Sequence, residues 1–353
     1  MRNMPKRVIV AEGPEFLRRE GLEPEPAPGE DGLRGDTGRG NFEWWYFDAH
    51  FGDGSTAVII FLTKPLLQRT DPLTPTVQLT ITQPNGRKVH DFPVYPPGLF
   101  RAERDRCDVA IGPSWVRGDL RRYELHAEGK GLSADLVFTG YVPPWRPGAG
   151  KFYYDEALTR YFGWLLPIPF GYVEGTVTYD GRTRQVSGTG YHDHNWGNIG
   201  LNEVMSHWYW GRAHVGDYSL IFVETVGTEA YAHQKVPFFM LAKGNRIITG
   251  DGHPLTLTTA EFQNHPSGKI YPRLLDFHWR AEAGTVHLAL RRPQLIEAIS
   301  MLTFLPAWKR WLARLVVNPY YFRFNAELEL TVDLVGLTDR QRGSALYEMM
   351  LLR

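Results

Sequence analysis

The chain has 353 residues and balances 39 Lys plus Arg against 39 Asp plus Glu. A net charge of zero leaves no electrostatic footprint for nucleic acid as a main partner. The single cysteine, Cys107, excludes an intramolecular disulfide and a Cys-ligated zinc or iron–sulfur centre.

At a prior of about 150 residues per domain the length predicts two domains. With 36 Gly, 25 Pro and 13% aromatic residues, short aromatic strands joined by turns are expected rather than long helices. Residues 1–40 read as a linker or surface strap, because Gly21–Gly40 is rich in Gly, Pro and Glu. The basic N-terminus has no apolar leader core, since Glu12 follows Val8–Ala11 at once. The uncharged, apolar stretches Tyr161–Val173 and Ala298–Trp308 are shorter than the roughly 18 residues of a spanning helix. A soluble, cytoplasmic protein is expected.

From Phe42 the apolar period is two. Thr56–Thr63 reads as a strand covered on both faces. Val77, Leu79 and Ile81 share one face, as do Val286, Leu288 and Leu290. In Ala326–Leu334 the apolar residues alternate with Glu327, Glu329, Thr331 and Asp333, giving a strand with one wet face. Turns are expected at Pro84-Asn85-Gly86, Asp180-Gly181 and Lys243-Gly244-Asn245. An internal repeat divides the chain at 41–189 and 190–353. It matches Trp44–Asp53 with Trp208–Asp217, Gln83–Arg87 with Ala242–Arg246, His126–Glu128 with Arg280–Glu282, and the strand ending at Tyr191 with the one ending at Tyr347. Each unit has the size of a closed antiparallel barrel of roughly eight strands.

Pro293–Val317 breaks the pattern with a helical period over Leu295, Ile299, Leu302, Trp308 and Leu315, split at Pro306. It is expected to be a helical insertion packed over the barrel mouth. Its basic, Trp-bearing part, 307–317 with Lys309, Arg310 and Arg314, offers the alternative of peripheral membrane contact.

The densest polar cluster is Tyr191-His192-Asp193-His194-Asn195-Trp196. On a strand, Tyr191, Asp193 and Asn195 face one way and His192 and His194 the other. Beside aromatic rings a carboxyl such as Asp193 is desolvated, and its proton becomes available for acid–base work; a turn cap is the competing use. His192 and His194 have metal-chelate spacing, with His207 or His214 as a further ligand, but hydrogen-bonded structural histidines are preferred and no metal is expected. The chain has no G-x-G-x-x-G, P-loop, G-x-S-x-G or Cys–His pairing, which argues against nucleotide-dependent enzymes and common nucleophilic hydrolases.

Glu43-Trp44-Trp45-Tyr46, Gly190–Gly197, Trp208-Tyr209-Trp210-Gly211 and Ala345-Leu346-Tyr347-Glu348 together resemble the carotenoid 1,2-hydratase (hydroxyneurosporene synthase) family. That family belongs to a superfamily of double lipocalin-like proteins to which fungal Diels–Alderases are similar. The resemblance spans nearly all of Phe42–Arg353. It implies an all-β fold of two tandem lipocalin-like antiparallel barrels and no organic cofactor; the helical insertion read from the residue pattern falls in the second barrel and departs from the family. It also implies acid-catalysed hydration or cyclisation of an apolar isoprenoid or polyene. Asp193 would be the acid, oriented or recharged by Tyr191 and His192. Trp44, Trp45, Tyr46, His194, Asn195, Trp196, Trp208 and Trp210 would contact the substrate. The alternatives are a pericyclase that shapes a polyene and a carrier of apolar ligands without chemistry.

Overall fold

The computed structural model describes residues 5–65, 68–304 and 318–352. The chain divides into a unit of Ile9–Ile199 and a unit of Gly200–Arg353 that also takes in the residues up to Val8. Each is a curled, wholly antiparallel sheet, so the expected all-β, lipocalin-like architecture is present.

Four strands open the first unit in simple succession: Phe42–Phe51, Thr56–Leu62, Thr76–Thr82 and Lys88–Asp91. Its last strand, Arg182–Gly197, returns to lie beside Phe42–Phe51 and is followed outward by Tyr161–Tyr179, Leu132–Gly140 and Arg122–Gly129. The second unit repeats this plan. Met205–Val215, Tyr218–Gly227, Lys235–Lys243 and Arg246–Thr249 run in succession, and Leu337–Leu351 returns beside the first of them. Tyr320–Leu334, Gly284–Ser300, Ile270–Ala281 and Leu255–Asn264 follow outward. All four sequence matches of the repeat fall on equivalent strands and turns of the two sheets.

Alternation fixes what each strand buries. Trp45, Phe47 and Ala49 join Ile59, Phe61, Leu79 and Ile81 in the first core, while Trp44, Tyr46 and Asp48 face out. In the second unit Ala326, Leu328, Leu330 and Val332 are buried with Phe222, Phe277 and Leu288. Pro167 and Pro169, which cannot donate to a ladder, lie where the pairing of Tyr161–Tyr179 with Arg182–Gly197 slips, between Leu165 and Gly171. Gly163 has no Cβ to hit the Trp196 indole, which would lie 2.2 Å from one.

Three expectations need correction. The first unit ends ten residues later than 189, because the ladder to Phe42–Phe51 continues through Gly197 opposite Phe42. Residues 293–300 are strand rather than helix: Gly284–Ser300 pairs with Tyr320–Leu334 as far as Ser300, with slips at Arg291/Gln294 and Leu295/Glu297. Those slips spoil the period of two and mimic a helical one. Only Met301–Phe304 is a short 3-10 turn; the rest of the insertion, including the basic segment 307–317, lies outside the described residues. Residues 1–40 are more than a linker. Ile9–Val10 pairs with Lys151–Tyr153, Pro14–Glu20 is a helix, and Pro28–Asp31 is a 3-10 turn whose Glu30 and Asp31 are buried. Among the described residues no helix is long and apolar enough to cross a membrane.

Candidate active site

Three adjacent strands of the first unit build the site. Register places Trp44, Asn195 and Trp164 in one row, Tyr46 and Asp193 in the next, and Asp48 and Tyr191 in the third, all on the outer face. Asp193 is only 8% exposed. Its Oδ2 accepts hydrogen bonds from the Tyr191 hydroxyl at 2.8 Å and the Trp164 indole at 3.1 Å, and its Oδ1 accepts from the Asn195 amide at 2.8 Å. Burial raises its pKa above the ordinary carboxyl value, although these donors and the charge of His192 pull the other way. Burial thus disfavours the ionised carboxyl, while three donors are already aimed at its oxygens.

Rings surround this row. Trp44 stacks on Phe42 at 5.3 Å and lies 6.3 Å from Phe162, Tyr191 meets Tyr46 edge-on at 6.2 Å, and Trp145 meets Trp164 at 5.9 Å. Beside them the Tyr46 hydroxyl donates to Asp48 Oδ2 at 3.1 Å. His50 Nε2 lies 3.2 Å from Asp48 Oδ1, and its side chain is 40% exposed.

The inner face is different in kind. Both ring nitrogens of His192 face acceptors, the Tyr46 carbonyl at 2.9 Å and Asp31 Oδ2 at 3.2 Å. His194 lies between Glu43 Oε1 at 2.8 Å and Asp31 Oδ1 at 3.1 Å. Tyr123 donates to Asp31 Oδ2 at 2.6 Å, and the Trp45 indole donates to the Asp31 carbonyl at 2.9 Å. Phe47 stacks on His192 at 3.9 Å and Trp45 on His194 at 4.6 Å. Burial works against ionised Asp31, yet His192 and His194 outweigh it and hold the carboxyl well below its usual range. Burial also opposes a charged His194, but Asp31 and Glu43 push its pKa up to about 9. Glu43 further accepts from the backbone amides of Arg34 and Gly35, each at 2.7 Å. The network therefore pins the N-terminal strap into the sheet.

Of the predicted catalytic residues, Tyr191 bonds Asp193 directly, whereas His192 points to the opposite face and reaches Asp193 only through its charge. The reason is strand alternation, and the assignment of His192 as a partner that orients or recharges the acid is corrected accordingly. Trp44, Tyr46 and Asn195 share the Asp193 face. Trp45, His194 and Trp196 lie on the inner one and are not placed to touch a substrate at Asp193. Trp208 and Trp210 are half-buried on Met205–Val215 of the second unit, facing away from its core residue Tyr209. His207 and His214, on the same strand, hydrogen-bond Ser206 and Ser219. Asp31, Cys107 and His192 each bring one metal-ligating atom within 4.8 Å of the others. The oxygens of Asp31 are already engaged by Tyr123 and the two histidines, and burial pushes the Cys107 thiol far up, so this group fits a closed internal network better than an ion.

Sequence reasoning missed Trp164, hidden in the apolar run Phe162–Pro169, and Asp31, hidden in a segment without periodicity. It also passed over Asp48 and His50, although both continue the aromatic strand that it singled out.

A family described as Diels-Alderase-like matches residues 116–263. The quinolone epoxide rearrangement protein of Emericella nidulans is 32% identical over 271 residues, covering 69% of this chain and 70% of that protein. The chain belongs to the same family as the quinolone epoxide rearrangement proteins. A second such protein, from Penicillium thymicola, is 40% identical over 234 residues; the match covers 60% of this chain and 62% of that protein, just under two thirds of its length. The crystal structure of CghA with Sch210972 has a TM-score of 0.61 at 15% identity over 98% of both chains, a likeness of fold. These family relatives point away from the carotenoid hydratase branch that the sequence motifs resemble.

Proposed function

We propose that the protein is a cofactor-independent acid catalyst acting on an apolar small molecule that carries an epoxide or an electron-rich alkene. The observation that carries this reading is the Asp193 carboxyl, buried, raised in pKa and held by Tyr191, Trp164 and Asn195. Asp193 would give its proton to the epoxide oxygen or to one alkene carbon. The C–O bond then opens, or the π bond breaks, and positive charge develops on the neighbouring carbon. Trp44 and Tyr46, which share that face of the sheet, would stabilise that charge, and the three donors would stabilise the carboxylate left behind. Capture by a group within the substrate gives rearrangement or cyclisation. Capture by water gives hydration, of which the carotenoid type is the narrower version; in each case the captured cation loses one proton to the Asp193 carboxylate, which restores the acid. The relatives' epoxide chemistry supports the rearrangement branch as the first to test.

The family description favours a second reading, a pericyclase, in which Asp193 merely donates a hydrogen bond to a substrate carbonyl. Asp193→Asn separates the two, because an amide still donates a hydrogen bond but gives up no proton. Turnover of prenylated epoxides and terminal-alkene polyenes, followed by mass spectrometry in ¹⁸O water, is the assay. Loss of product in the variant supports acid catalysis. Full activity removes the acid and leaves the pericyclase. A ligand extracted from the protein and returned unchanged after incubation with it would instead indicate a carrier.

A further inference from the structure

We propose a divalent transition-metal site of the zinc type on the outer face of the second unit's sheet, held by Asp276, His278 and His287. Asp276 and His278 flank Phe277 on Ile270–Ala281, and because Phe277 is fully buried, both point outward. His287 lies directly opposite His278 on Gly284–Ser300, between the buried Val286 and Leu288. Alternation on two neighbouring strands thus gathers three ligand side chains on the wet face while the core fixes their backbones.

The three side chains lie within reach of a single ion. The two imidazoles stack with centroids 4.2 Å apart and planes 16° from parallel, both presenting Nε2 to one carboxylate. His287 Nε2 lies 2.5 Å from Asp276 Oδ1, and His278 Nε2 lies 3.5 Å from Oδ2. One ligand atom from each residue falls within 4.8 Å of the other two. A tetrahedral zinc with bonds of about 2.0–2.2 Å separates its ligand atoms by about 3.4 Å and takes each imidazole nitrogen in its ring plane, so on binding the 2.5 Å pair must open and the stacked, partly exposed rings must turn toward the ion. Two imidazoles and one carboxylate form a ligand set suited to zinc and its first-row neighbours. The side chains are 47% exposed at His278 and 37% at His287, which leaves the fourth position to water or to a group from another molecule. The cross-strand neighbours Thr256, Thr258 and Thr331 bring no competing charge, and Glu329 is engaged by Arg342 at 3.0 Å. None of these residues takes part in the chemistry assigned to Asp193.

The test is equilibrium dialysis of the full-length protein against zinc chloride, with elemental analysis and thermal melting. The wild type is expected to hold one zinc per chain at micromolar free zinc and to melt higher with it than in chelator. His278→Gln with His287→Gln should abolish both effects, and Asp276→Asn should weaken binding at least about tenfold. Cys107→Ser should leave both intact, which separates this site from the buried Asp31, Cys107 and His192 group. A wild type that takes up no zinc, or a stoichiometry unchanged in the double histidine variant, overturns the proposal.

Discussion

The strand Arg182–Gly197 has a buried aspartate against each of its faces, and the two are driven in opposite directions. On the inner face Asp31 meets His192, His194 and Tyr123, and its carboxyl is held ionised. On the outer face Asp193 meets the neutral donors Tyr191, Trp164 and Asn195, and burial wins, raising its pKa. Loss of water is common to both. What differs is whether the histidines bond the carboxylate directly, as at Asp31, or act on it only through the charge of His192 from the opposite face, as at Asp193, where the bonded partners are neutral donors.

Removing each carboxylate should break the comparison most sharply. Asp193→Asn is expected to cut turnover by about 10²–10⁴-fold, the usual contribution of a positioned acid, while the chain stays folded. Asp31→Asn should instead cost about 3–5 kcal/mol in denaturant unfolding, because it leaves buried partners of a charge network uncompensated. If both variants lost stability alike, the two faces would not differ in the way described. Tyr191→Phe is a finer probe. It deletes a donor that favours the carboxylate, so the pKa of Asp193 should rise further. An acid works only while protonated, so the alkaline limb of the pH–rate profile should move to higher pH. A merely structural Tyr191 would lower the rate without moving the limb.

The smallest effect is on stability against pH. The pKa of His194 is raised to about 9, so its contribution is complete below its unfolded value of about 6.5 and is lost as pH rises through about 9. The depressed Asp31 contributes above its unfolded value of about 3.9 and loses that contribution as pH falls through its folded one. Asp193 has the opposite sign to Asp31: with a raised pKa it favours the fold at low pH and loses that advantage as it ionises. Melting curves from pH 4 to about 10 should therefore show an alkaline decline that His194→Gln flattens, and a smaller decline at lower pH that Asp193→Asn removes.

Much of this could be read from the chain because strands obey a period of two. Alternation alone put Tyr191, Asp193 and Asn195 on one face and His192 and His194 on the other, and the repeat pointed to two similarly built sheets. What was hidden depends on pairing across long separations. Asp31 meets His192 from 161 residues away, out of a segment whose composition reads as linker. Trp164 reaches Asp193 from a run in which every residue looks like core. Residues 293–300 look helical because two register slips break the alternation of a strand. Slips and distant partners are properties of the assembled sheet and leave no local periodic trace.

The central claim is that Asp193 keeps its proton under conditions where an ordinary aspartate has lost it. Infrared titration of the protonated carboxyl stretch, taken as the difference between wild type and Asp193→Asn, measures this directly. The account predicts a difference band that persists well above pH 4 and disappears with an apparent pKa clearly higher than the ordinary value of about 3.9. A carboxyl that titrates at or below that value would contradict it.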